Sequence, residues 1–223
     1  MKKALLILLL LPLCSILVFA QIDKEQLALT VSKADAANTE KLKAFIWKRY
    51  STATVNGAVK ATTIMELKFD EKGALQVTQV GGESSVKQKP GLRGKAQENA
   101  IEEKTEYVEK ALKLSIDYTY MSKGELLDFF EKATITESGG VFKARGANVL
   151  VKGDSLTVLI DAKTNLFIHK KFKSTMGADP IDGEMKYGTF SSGISHVTTT
   201  LMNMPAQKAK IDAENKDYAQ RVN

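Results

Sequence analysis

Cysteine is nearly absent: the 223-residue chain has only Cys14, and that residue sits inside an apolar N-terminal run. If that run is removed, no thiol remains. A disulfide framework, a thiol nucleophile, Cys-ligated zinc and iron–sulfur clusters are then excluded. Histidine is almost as scarce, with two in the chain. His169 and His196 are far apart in sequence, and neither has a second His, Asp or Glu at metal-ligand spacing. No Asp-x-Asp-x-Asp loop suggests a calcium site. Ser155, Ser174, Ser191 and Ser192 lack a Gly-x-Ser-x-Gly elbow, so no hydrolytic triad is legible. The sequence therefore implies no enzyme, no metal and no cofactor. Only four prolines interrupt it, and no repeat or low-complexity tract is visible.

What is present begins with a leader. Met1-Lys2-Lys3 is basic, Ala4 to Val18 is almost wholly apolar, and Val18-Phe19-Ala20 offers the side chains a signal peptidase accepts. Cleavage is expected after Ala20. The run is shorter than the roughly 20 residues that span a bilayer core, and Leu13 before Cys14 departs from the small residue that a lipidation site prefers. The implied location is periplasmic or secreted. Taking Lys2 and Lys3 from the 32 basic residues leaves 30 against 26 acidic ones, a net charge of +4. Lys and Glu are interspersed, which suits solubility and not a nucleic-acid partner. No later segment is long and apolar enough to be a transmembrane helix.

Residues 21–36 read as a polar lead-in, 37–218 as one domain and 219–223 as a tail. Residues 38–51 are expected to be a helix, because Leu42, Phe45, Ile46 and Tyr50 recur at three- and four-residue spacing; Trp47 lies off that stripe. Residues 59–69 then alternate as a strand, Asp70–Gly73 turns, and Leu75 and Val77 open the partner strand. Residues 81–95 form a Gly-, Ser- and Lys-rich loop. A helix follows over 96–114, its Lys/Glu side facing water, and another starts at the capping box Ser122/Glu125. From 134 onward, turns every 8–12 residues indicate an antiparallel meander. This order gives an α+β fold, with two or three helices covering the apolar face of the sheet.

Leader, helix, hairpin, helices and meander in this order resemble the LolA-like periplasmic carriers. AFIWKRY at 44–50, GLRG at 91–94 and GDSLTVLIDAKTNLF at 153–167 resemble, more closely, an uncharacterised exported bacterial protein family across roughly 37–218. The LolA-like resemblance implies a strongly curved antiparallel sheet, an unclosed half-barrel lidded by helices, with an apolar space for acyl chains.

Two candidate sites follow. Phe45, Ile46, Met65, Leu67, Tyr107, Leu126, Phe129 and Phe130 are candidates to line an apolar ligand space, since acyl groups offer no hydrogen bonds; the same residues would equally make a closed core. Met121, Met185, Met202 and Met204 add thioethers that adapt to irregular ligands. Gly91, Arg93, Gly94 and Lys95 precede a helix and are candidates to hold an anion. The expected activity is binding or carrying a lipid, an acylated ligand or another apolar group. The alternative is an envelope protein-interaction or sensor module using the curved sheet and the 81–95 loop.

Overall fold

Asp23 starts the first helix: its side chain accepts a hydrogen bond from the Gln26 amide at 3.0 Å and so satisfies an orphan donor. The computed structural model describes residues 22–84, 92–190 and 193–221. Helix α1 (Lys24–Leu42) fills most of the stretch read as a polar lead-in. Leu27, Ala28 and Val31 point from it into the core.

The helix expected over 38–51 is corrected. Only its start belongs to α1, and the rest is a strand, β1 (Phe45–Val55). Phe45, Trp47, Arg49 and Ser51 are buried, while Ile46, Lys48 and Tyr50 between them are less so, a period of two. Pairing on both sides decides the conformation, because β1 lies between β2 (Ala58–Phe69) and β10 (Ala209–Gln220) in mid-sheet. Asn56 and Gly57, at φ 51° and 76°, form the two-residue loop of the β1–β2 hairpin.

The expected strand over 59–69 is β2. The expected turn also forms: Asp70 accepts from the Ala74 amide at 2.8 Å, and Gly73 takes φ 84°. The chain returns as β3 (Leu75–Ser84), which runs into the stretch expected to be loop. Helix α2 spans Leu92–Thr119, longer at both ends than 96–114. Helix α3 (Lys123–Lys132) begins at the expected capping box. The Glu125 amide donates to Ser122 Oγ at 3.3 Å, and the Ser122 amide donates to Glu125 Oε2 at 2.6 Å.

The meander comprises β4 (Thr134–Ser138), β5 (Val141–Ala147), β6 (Ser155–Asp161), β7 (Phe167–Met176), β8 (Asp179–Phe190) and β9 (Ile194–Met204). β10 follows and runs to Gln220, so position 218 falls inside a strand. The strand order is β3-β2-β1-β10-β9-β8-β7-β6-β5-β4, antiparallel throughout and not closed. This is an α+β curved half-barrel whose concave face carries three helices. Helix α1 packs on α3 and β9, α3 on β5, and α2 on β7, β8 and β9. No helix among the described residues is long and apolar enough to cross a membrane.

Two apolar clusters hold these layers together. The larger joins Leu27, Val31, Tyr118, Phe129 and Phe130 of the helices to sheet residues including Ile160, Phe172, Met185 and Met202. The smaller gathers Leu42, Phe45, Trp47, Leu67, Phe69 and Ile194 around the β1–β2 end. Phe172 lies over Gly183, where a Cβ would stand 2.2 Å from its ring, and stacks on Tyr118 at 4.0 Å between centroids. The Tyr118 hydroxyl donates to Asp154, whose carboxylate also accepts from the amides of Val149, Leu150 and Val151. The C-terminal end of α2 is thus tied to the sheet at a fixed place.

Candidate functional site

Polar side chains intrude on the concave face at its middle. Arg49 on β1 is paired with Asn215 on β10 and with Met65 on β2. Ser51 is paired with Ala213, whose other neighbour is Thr200 on β9. Arg49, Ser51, Asn215 and Thr200 are all buried, Arg49 being 4% exposed. Several of their polar atoms have no hydrogen-bond partner: Arg49 Nε and Nη2, Ser51 Oγ, Thr200 Oγ1 and Asn215 Oδ1, with Trp47 Nε1 beside them. Asn215 spends its amide nitrogen on the Val197 carbonyl at 2.9 Å. An unsatisfied buried polar atom costs about 1–3 kcal/mol, and more when charged. Burial pushes the Arg49 guanidinium below its ordinary pKa, but an arginine starts so far above neutrality that it keeps its charge.

An aromatic cage adjoins Arg49. Asp217, at φ 55°, is one of two residues opposite Trp47, and this bulge brings Tyr218 inward after the alternation Ile211, Ala213, Asn215. Tyr218 stacks on Phe190 at 3.9 Å, and its hydroxyl meets His196 Nδ1 at 2.7 Å. The Tyr120 hydroxyl meets His196 Nε2 at 2.8 Å, and the Trp47 ring lies 4.7 Å from the imidazole. Burial, with the charge of Arg49 adding to it, pushes His196 down to about 3. The imidazole is therefore neutral near pH 7, one ring nitrogen donating and the other accepting. A base that weak is poorly matched to proton transfer near neutrality. Burial raises Tyr120 and Tyr218 as well, so both keep their protons.

A second buried cation, Lys170 on β7, is fully partnered. Its Nζ donates to the Tyr118 and Thr119 carbonyls at 3.2 and 2.9 Å and lies 4.0 Å from the centre of the Phe167 ring. It thereby caps the C-terminus of α2, where a cation is favoured. Burial pushes Lys170 down to about 8, opposed by the charge of Asp35 on α1.

The eight residues singled out for an apolar ligand space do not converge on one place. Leu126, Phe129 and Phe130 are in the large cluster, with Tyr107 packed against it. Phe45 and Leu67 are in the small cluster, with Met65 against it and directly across from Arg49. Ile46 alternates onto the other face of β1. Met121, Met185, Met202 and Met204 are all buried along the contact between helices and sheet. Of the anion loop, Gly91 lies outside the described residues. Arg93, Gly94 and Lys95 fall in the first turns of α2, and their side chains also lie outside them. Sequence reasoning missed Arg49, because its interest lies in the absence of a partner and not in any motif.

Elsewhere the concavities are open. A groove of about 450 Å³ crosses the outer face between Tyr50, Lys186, Leu201 and Asp212, and one of about 510 Å³ runs between α1 and α3 past Leu29 and Leu127. On the outer face Glu184 lies 3.0 Å from His169 Nε2, and Lys210 lies 3.0 Å from Asp212. Among the described residues no group of three or more His, Asp or Glu side chains is placed to hold a metal.

No protein-family model matches the chain, and no curated protein matches it. Solved structures do. One is a Vibrio parahaemolyticus domain described as an outer-membrane lipoprotein-sorting protein, at TM-score 0.50 and 13% identity over 90% of this chain and 94% of that one. A DUF1329 family protein from Desulfovibrio piger matches at TM-score 0.43 and 10% identity over 89% and 92%. A LolA-superfamily protein from Nitrosomonas europaea matches at TM-score 0.41 and 10% identity over 88% and 94%. The likeness is one of fold alone: this chain shares the architecture of the lipoprotein-sorting domain.

Proposed function

We propose that the chain is a non-enzymatic binding or carrier protein for a lipid, an acylated ligand or another apolar group, and that it works outside the cytoplasm after cleavage behind Ala20. The observation that carries this reading is the methionine-rich contact between the helical layer and the concave sheet. Met121 comes from the helical side, and Met185, Met202 and Met204 come from the sheet. Unbranched thioethers repack at low cost, so this contact is suited to part and accept an irregular apolar chain. Each CH₂ buried there contributes roughly 0.8 kcal/mol. The sheet need not deform: displacing the helices opens the space, and Leu126, Phe129, Phe130 and Tyr107 move with them. The described role of the Vibrio parahaemolyticus domain supports the same reading by fold alone.

Native mass spectrometry of the protein purified from its own envelope tests this. The expected result is a mass excess that organic extraction removes. A bare mass overturns the reading and favours a protein-interaction role. The edge strand β3, with Val77 and Val80 44% and 51% exposed, is the surface such a partner would meet first.

A further inference from the structure

Several charged groups of this molecule have evident partners. Lys170 holds helix carbonyls, and Lys186, Lys210 and Lys216 on the outer face lie beside carboxylates. Arg49 is different. Its Nε and Nη2 are both buried and both without a partner. These two nitrogens point their hydrogens the same way, along the edge of the guanidinium that meets two oxygens of a carboxylate or phosphate side by side. The same buried face of β1 and its neighbours carries further unpaired groups: Trp47 Nε1, which only donates, and the hydroxyls of Ser51 and Thr200. Asn215 Oδ1 is the one obligate acceptor among them. The strand register brings these residues together, since β1, β10 and β9 are adjacent and their pairings put Arg49 beside Asn215, and Ser51 and Thr200 on either side of Ala213. Among the described residues no carboxylate forms an ion pair with Arg49. A donor-rich, cationic, buried patch is complementary to an oxyanion.

We infer that Arg49, with Trp47, Ser51, Thr200 and Asn215, is a receptor for an oxyanion: the carboxylate or phosphate head of the amphiphile that the half-barrel encloses. This rests on the carrier reading for the source of the anion, and not for the receptor itself. The head group seats on Arg49 in mid-sheet, and its chain runs along the methionine-lined contact. Specificity follows from desolvation: a neutral head of the same shape leaves the guanidinium edge unpaired, whereas an anionic head completes it.

Trp47 is the only tryptophan of the chain, so its emission reports on the neighbourhood of Arg49 directly. The experiment titrates the exported, delipidated protein with palmitate, with methyl palmitate and with inorganic phosphate, following Trp47 fluorescence and binding heat. Palmitate is expected to bind about tenfold or more tighter than methyl palmitate, the scale of one charge-assisted hydrogen-bonded contact. Arg49→Met is expected to bring the two within about twofold by weakening palmitate alone, with Arg49→Lys recovering part of the preference. A variant that weakens both equally would mark Arg49 as structural and overturn the inference. Should Arg49→Met not fold, Thr200→Val removes one donor at nearly constant shape and is expected to cut the preference about threefold.

Equal affinity of the unaltered protein for palmitate and its methyl ester overturns the receptor and leaves the carrier reading intact. Phosphate binding that needs Arg49, with no binding of either amphiphile, upholds the receptor for a free oxyanion and removes the carrier reading. No binding of any of the three overturns both.

Discussion

Lys170 and Arg49 are buried on the same face of one sheet, four strand spacings or roughly 19 Å apart along it, and their surroundings could hardly differ more. Lys170 has two carbonyls and a ring, and it ends a helix. Arg49 has an aromatic neighbourhood and two guanidinium nitrogens with nothing to donate to. A buried charge that is satisfied by the fold belongs to the architecture. One that the fold leaves unsatisfied is where local rules are broken, and such places concentrate at functional sites. The Lys170 end of the concave face is accordingly a fastening for α2. The Arg49 end is the part of the interior still able to recognise something.

The largest expected effect breaks this contrast at its fastened end. Lys170→Met removes the ammonium and leaves the Tyr118 and Thr119 carbonyls facing apolar surroundings, though Thr119 keeps a long contact of 3.4 Å from the Tyr187 hydroxyl. Stability to urea is expected to fall by about 3 kcal/mol. Exchange of the amides in the last turns of α2 should quicken with it. Unchanged stability would mean that the carbonyls find other partners and that Lys170 is no fastening.

The same kind of substitution at the other cation should have the opposite sign. Arg49→Met replaces an unpaired buried charge by an apolar side chain of similar length, and unfolding in urea is expected to require about 2 kcal/mol more. A gain in stability coupled to a loss of anionic preference is the pattern of a binding group kept at a cost to the fold. A loss of stability instead would show that the aromatic cage of Trp47, Tyr120 and Tyr218 depends on the guanidinium.

Neither cation is legible in the sequence, although parts of the fold around them are. The capping box of α3 was readable because both of its halves lie within four residues. The meander was readable from turn chemistry repeated along the chain. β1 was misread because Phe45, Ile46 and Tyr50 fit a helical spacing, while the competing alternation of Phe45, Trp47, Arg49 and Ser51 was masked by two polar members. Asn56-Gly57 carried the missing signal, since a left-handed pair of this kind needs a strand on either side. α1 was passed over because its apolar face is thin, a few small and aliphatic side chains among many polar ones. The Arg49 patch lay beyond sequence reading altogether. Its members come from positions 47 to 51 and 200 to 215, and only strand register makes them neighbours. Tyr218 enters the cage through a bulge that changes the phase of β10, which no alternation within that strand reveals.

The smallest expected effect separates the two cations by pH. Burial lowers Lys170 from an ordinary 10.5 to about 8, with Asp35 opposing. Between those values the unfolded chain still holds a proton that the folded protein has released. The unfolded state then binds more protons, so stability rises with pH across that interval. Tyr118, Tyr120 and Tyr218 act in the other direction: burial raises them, and the unfolded chain loses their protons first, from about pH 10 upward. The cleaner window is therefore pH 8 to 9, where wild type should gain about 1 kcal/mol in urea unfolding. Lys170→Met should lose this slope, and Arg49→Met should keep it, because a guanidinium does not titrate there. A slope that survives in Lys170→Met would assign the titration to another group and remove pH as a way of telling the fastened cation from the free one.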